Sequence, residues 1–316
     1  TVVVYIESTD NSGSSQRKKR VLEGVYSPGT YIPTEITTTT TSMNPHIVSI
    51  WIRHYRQKLK PYYVTGIAIF NVVTNNSYIM EYDVQEDHLQ STTFDDLERI
   101  LSIYRPKEVI LISSVANTKD YIPSLQNMYV HEYNPNMTII QNAEKQRYVD
   151  HLLTRHFGPD VLSQCAEIAE FPLATQAFVV LLHFLEEHNP NLCKNIRLPH
   201  WESDSHYTKL ANNSLIQLNI INSDKSEHHH RVHNRKSYQS VVSLLDHCKT
   251  NMGSRLLYQY LTHPIFYVPD LKEEYNTMSI WINNKENEIM MTNLRKQMGN
   301  IYDIDHHARL VTNQKI

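Results

Sequence analysis

The chain has 316 residues, 41% of them hydrophobic and 20% charged, which is enough apolar material for two domains and too much for wholesale disorder. A formal charge of −3 supplies no global basic field, so any hold on nucleic acid has to be local. Cys165, Cys193 and Cys248 are too few and too scattered for a disulfide framework or a Cys-x-x-Cys zinc pair. No apolar run approaches the roughly 20 residues of a membrane span, so no membrane partner is expected.

In chain order, Val2-Val3-Val4-Tyr5-Ile6 and Val21-Leu22-Glu23-Gly24-Val25-Tyr26 predict two strands closed by the turn Ser27-Pro28-Gly29-Thr30. The sequence opens inside a strand without an initiator Met, so residues 1–31 are expected to be the end of a domain of something longer. The tract Thr37 to Thr41 marks a linker over 32–44. Tyr63 to Val73 is apolar on both faces, and Asn75-Asn76 turns it into Ser77 to Tyr82, a hairpin with a buried first strand. Thr92 or Thr93 can cap a helix bearing Leu97, Ile100, Leu101 and Tyr104, which Pro106 stops ahead of the strand Glu108 to Ile112. Residues 45–132 therefore read as a small α/β domain.

From about residue 142 the period changes to 3.6. Stripes at Tyr148 to Leu153, Val161 to Ala169 and Ala174 to Leu185 predict helices packed on helices. Ser214 to Ile221 reads as a short β element, a polar loop covers 222–237, and helical stripes resume from Val241, continue through Met298 and return at Ile304 to Val311. The second unit, 133–316, is thus expected to be helical with one short β element and to run on past its last residue.

Several patches resemble chemistry. Glu227-His228-His229-His230-Arg231-Val232-His233 sets imidazoles at metal-ligand spacing, but no Cys joins them and Arg231 opposes a cation, so a solvated loop is the ordinary explanation and no metal is assigned. Gly24 to Thr30 imitates a phosphate loop as far as its second glycine, yet Thr30 stands where the phosphate-reaching lysine is needed, and Pro28 removes an amide donor. A ribonuclease-H-like nuclease would need carboxylates on the first strand. Asn71 is what that strand offers, and Asp83, Asp87, Asp95 and Asp96 lie beyond the strand cores. Arg17-Lys18-Lys19-Arg20 is the one concentrated basic run and the candidate DNA-backbone contact. Arg53, Arg56, Lys58 and Lys60, with Tyr55, Tyr62 and Tyr63 among them, form a sparser group. No local signature places a nucleophilic Ser or Cys, and no catalytic residue is assigned.

The string Asn234 to Leu257, containing Ser243-Leu244-Leu245-Asp246 and Met252-Gly253-Ser254-Arg255-Leu256-Leu257 and followed by Tyr258 to Ile265, closely resembles the start of the core-and-lever region of MutS-type DNA mismatch repair proteins. Val25 to Thr30 looks like the close of that family's mismatch-binding domain. Gly66-Ile67-Ala68-Ile69-Phe70 and Arg105-Pro106-Lys107-Glu108-Val109 look like its connector, and Leu210 to Ile220 like a strand of its core. The resemblance implies a ribonuclease-H-like connector followed by a helical core and lever that relay between a DNA clamp and an ATPase. It also implies partners: mismatched double-stranded DNA, a MutL-like protein, and a second copy or paralogue joined through other domains. ATP and magnesium belong to the intact protein, since no phosphate loop occurs here. The setting implied is intracellular, nuclear or cytoplasmic, a viral or organellar origin included. In the motif itself, Leu244, Leu245, Cys248, Met252, Leu256 and Leu257 fall near one side and are expected to pack, Gly253 lets another backbone approach, and Arg255 can fork onto carboxylates. The one Phe-x-Glu, Phe184-Leu185-Glu186, lies in a helical stripe and is expected to be core rather than the mismatch wedge.

Overall fold

Nine consecutive buried residues, Tyr63 to Asn71, can be buried on both faces only in the middle of a covered sheet, and that is where they lie. The computed structural model describes residues 2–9, 18–32, 45–56, 61–86, 88–90, 92–201, 208, 210, 214–222, 240–283 and 285–312. The expected linker over 32–44 and the histidine tract at 228–233 fall almost wholly outside them.

Strands β1 (Val2–Thr9) and β2 (Lys18–Tyr26) form a separate antiparallel ribbon with an irregularity between Val4 and Tyr5. The main sheet contains β3 (His46–Arg56), β4 (Pro61–Asn71), β5 (Ser77–Gln85), β6 (Glu108–Ser113), β7 (Tyr129–Tyr133) and β8 (His200–Trp201), in the order β7-β6-β3-β4-β5-β8. β4 runs antiparallel to β3 and β5, whereas β6 is parallel to β3, β7 to β6 and β8 to β5. β3 is the strand that the sequence reading lacks. Ile47 to Trp51 are buried on both faces, so no alternation announces them. At the β4–β5 turn Asn75 takes φ +60°, while Asn71 Oδ1 accepts the Val73 and Thr74 amides at 3.0 Å.

Helix α1 (Asp95–Tyr104) packs Leu97, Ile100, Leu101 and Tyr104 against one sheet face, where Val48, Ile50, Ile52, Ile67 and Ile69 await them. Its N-cap position is Phe94. Neither Thr92 nor Thr93 caps it, because Thr93 Oγ1 accepts the Gln90 amide and donates to Glu86 in the preceding loop. After the short α2 (Thr118–Tyr121), helices α3 (Thr138–Ala143), α4 (Gln146–Phe157), α5 (Val161–Gln164), α6 (Glu167–Glu170) and α7 (Pro172–His188) share a core with the opposite face. α7 is the keystone, and Phe184 and Leu185 are wholly buried within it, as expected of core residues.

The expected strand over Ser214 to Ile221 is instead one helical turn, α8 (Ser214–Gln217). Leu218 N–H donates to Ser214 O, Ile220 and Ile221 N–H fold back onto Leu215 O, and Asn219 at φ +52° ends the turn. The β-branched pattern reflects burial of Leu215 and Ile221, not strand pairing. Beyond it come α9 (Val241–Leu245), α10 (Asn251–Thr262), α11 (Val268–Asn283), α12 (Lys285–Met298) and α13 (Ile304–Thr312). α11 and α12 lie against each other, and α11 buries no residue. At 1.5 Å per residue, each spans roughly 20–25 Å.

Candidate functional site

The motif at 243–257 sits at the foot of this helical arm. Ser240 and Ser243 exchange a capping box that starts α9, and Thr250 Oγ1 accepts the Gly253 amide at 3.1 Å to start α10. Between the two helices Asp246 accepts from the Cys248 amide and, at 3.0 Å, from Ser254 Oγ. Among the described residues Gly253 is not approached by another chain segment: a Cβ there would meet Thr250 Oγ1 and Cys248 of its own cap. Nor do the motif leucines pack on one side as expected. Leu244, Leu245 and Leu256 are about half exposed, while Met252 and Leu257 are partly buried, with the non-helical stretch 246–250 between the two helices.

Arg255 does what its fork permits. Its guanidinium grips Asp303 at 2.5 and 2.9 Å and Asp305 at 3.0 Å, tying α10 to the start of α13. Burial works against the charge on Arg255, but the two carboxylates outweigh it and raise the arginine above its usual range. Burial likewise opposes the Asp303 charge, and the Arg255 contact still brings that carboxyl below the usual range. α13 is fixed in turn by Arg309, which is 1% exposed and whose three nitrogens donate to carbonyls: Val72 at 3.0 Å, Leu192 at 2.7 Å and Lys194 at 3.4 Å. Desolvation pushes Arg309 down to about 10. On the other flank, Tyr258 OH donates to Ile103 O, and a cavity of about 220 Å³ lined by His46, Asn71, Tyr104, Arg255 and His263 lies between α10 and the ends of β3 and β4. The arm is thus tied at its base to the body of the chain, with Arg295 of α12 also donating to His247 O at 2.6 Å, and α11 buries no residue.

The other predicted sites separate. Arg17 lies outside the described residues, the backbone of Lys18 and Lys19 opens β2, and Arg20 is exposed on β2 opposite Glu7. Gly29 N–H, which a phosphate loop would turn to its ligand, is committed to Glu108 at 2.9 Å. For a nuclease, β3 carries no carboxylate, Asn71 is spent on its turn, Asp83 is exposed on β5, and Asp87 lies outside the described residues. Among the described residues no group of three or more His, Cys, Asp or Glu could hold a metal ion, and no helix is long and apolar enough to cross a membrane. Sequence reasoning missed Glu108, Asp303, Asp305 and Arg309. Asp303 and Asp305, flanking a helix start, carried a readable cue, whereas a lone arginine inside a helical stripe reads as surface.

The known proteins that this chain resembles over most of its length are DNA mismatch repair proteins. The family model described as MutS domain III matches residues 213–316. A DNA mismatch repair protein mutS homolog of Acanthamoeba polyphaga mimivirus is 25% identical across 98% of this chain and 29% of its own length. DNA mismatch repair protein MutS of Borreliella afzelii is 24% identical across 96% of this chain and 31% of its own length, and that of Caldanaerobacter subterraneus 23% across 100% and 32%. The resolvase of Fowlpox virus, solved with Holliday junction DNA, overlaps 44% of this chain and 97% of its own at 14% identity and a TM-score of 0.24, too low to bear on the fold. Residues 213–316 thus match MutS domain III, nearly the whole chain is similar to MutS-type DNA mismatch repair proteins, and it spans about 30% of the length of the curated relatives it matches.

Proposed function

We propose that this segment is the mechanical middle of a mismatch repair protein, relaying between mismatched double-stranded DNA and a nucleotide site elsewhere in the intact molecule. The observation that carries the reading is the double bolt at the foot of the arm, Arg255 on Asp303 and Asp305 and Arg309 on three carbonyls. A lever needs a stiff base, and these two arginines supply one, while α11 beyond them buries no residue. Within this reading residues 1–31 close a mismatch-binding domain, 45–132 form the connector and 133–316 begin the core and lever, with α3 to α7 packed onto the connector sheet. The order β5-β4-β3-β6-β7, with β4 alone antiparallel, supports a ribonuclease-H-like connector, whose central strand β3 carries no carboxylate.

ATP and magnesium, a MutL-like partner, and dimerisation with a second copy or paralogue are assigned to the intact protein, and the setting to the inside of a cell, whether host, organellar or viral. The basic run Arg17 to Arg20 is its candidate DNA-backbone contact. The test is made on the intact protein. Arg255→Ala should leave DNA-free ATP turnover near its starting rate and abolish most of the change that mismatched duplex induces. Full coupling in that variant would overturn the relay.

A further inference from the structure

A two-stranded ribbon has little stability of its own, so the direction in which β1–β2 leaves the molecule must be set at its base. The base is the segment that follows β2. Ser27, Gly29, Thr30 and Ile32 are all buried, and the first two converge on Glu108 at the start of β6, a carboxylate with no exposed surface. Glu108 Oε2 accepts from Ser27 Oγ at 2.6 Å and from Gly29 N–H at 2.9 Å, and Oε1 accepts from His131 Nε2 at 3.1 Å. The turn is also closed on itself, since Ser27 N–H donates to Thr30 Oγ1 at 3.0 Å and the two hydroxyls lie 2.8 Å apart. A Cβ at Gly29 would stand 2.6 Å from Glu108 Oε2 and 2.9 Å from Ile47 Cγ1, so only glycine lets the turn reach the carboxylate. His131 is held from behind by the Phe184 ring of α7, 5.3 Å away. A buried carboxylate is costly unless donors replace its water, and here two of the three come from the turn itself.

We propose that Glu108 is a positioning residue, a latch that seizes the Ser27–Thr30 turn and fixes the direction of the basic ribbon relative to the sheet. The use of that fixed direction rests on the proposed function, in which the ribbon touches DNA. The orientation itself does not.

The experiment uses the 316-residue chain carrying Cys248→Ser, with spin labels at Leu22→Cys on β2 and Gln85→Cys on β5, both exposed. Burial raises the Cys165 thiol and pushes Cys193 up to about 12, which keeps both from competing for label. The parent should give one narrow inter-label distance. Gly29→Ala and the milder Ser27→Ala should broaden it severalfold in width, with circular dichroism showing the sheet still folded. Glu108→Gln, whose amide can still accept from the turn and donate to a neutral His131, should keep it narrow. A narrow distribution in both turn variants overturns the latch. If the distribution broadens and affinity for mismatched duplex DNA falls severalfold, latch and DNA reading stand together. If it broadens and affinity holds, the latch stands and the ribbon's DNA role falls.

Discussion

Gly66 on β4 and Glu81 on β5 are partners in register, and both serve the N-terminus of α7. A Cβ on Gly66 would lie 2.4 Å from the Leu173 carbonyl carbon and 2.5 Å from Ala174 N, so Gly66→Ala must lift the helix that roofs the sheet. Backbone cannot swing aside as a side-chain tip can. A loss of about 3 kcal/mol or more in urea-unfolding stability is expected, at the upper end of overpacking costs. Across the pair, Glu81 Oε2 accepts the Ala174 amide at 2.9 Å. Burial raises its pKa above 4.5, and the Ala174 and Leu173 amides only partly offset that. The folded protein therefore keeps this proton to higher pH than the unfolded chain does. The resulting stability is complete below 4.5 and is lost as pH rises through the folded-state value. Glutamine stays neutral throughout, so Glu81→Gln should compare better with the parent at about pH 7 than at about pH 4 in paired unfolding curves. The opposite trend would mean that the amides outweigh burial.

At the scale of elements, legibility followed periodicity. The stripes of α1, α4, α7 and α10 to α13 stood out because each is amphipathic or long, and Asn75-Asn76 announced its turn through a residue type that tolerates positive φ. β3 did not stand out, because a strand buried on both faces has no alternation. α8 was misread because Ile216, Ile220 and Ile221 favour strands in general, whereas here a left-handed Asn219 folds the chain back. The bolts were illegible for a further reason. Arg309 finds partners in Val72, Leu192 and Lys194, between 115 and 237 residues away in the chain, and no local pattern encodes that meeting. Removing the fork strands three carbonyls, so Arg309→Met should cost about 2–4 kcal/mol, and lysine, with one nitrogen, should rescue little. Hydrogen exchange should show 304–312 losing protection while β3, β4 and β6 keep theirs. Uniform loss across the sheet would mean that α13 is no separate unit.

For the whole molecule, the distribution of apolar surface is the informative quantity. Tyr275, Met278, Ile280 and Ile282 on α11, with Ile289 and Met290 on α12, are all exposed, and Ile282 reaches 80%. Scattered apolar residues on a surface need no explanation, but Tyr275, Met278 and Ile282 fall near one side of α11, which makes Ile282 a suitable place to ask whether that side is covered in a longer protein. The chain spans about 30% of the length of its curated relatives, and under the function proposed above the expected cover is another part of the intact protein. A thiol reporter can test this directly. With Cys248→Ser as background, Ile282→Cys in the 316-residue chain should react with maleimide as fast as an unhindered thiol. In the intact protein the same position should react severalfold more slowly, and partial unfolding by denaturant should restore the fast rate. Equal rates in the two settings would mean that the arm faces water along its full length. Its apolar face would then have to be accounted for by contacts made only when DNA or another protein is bound.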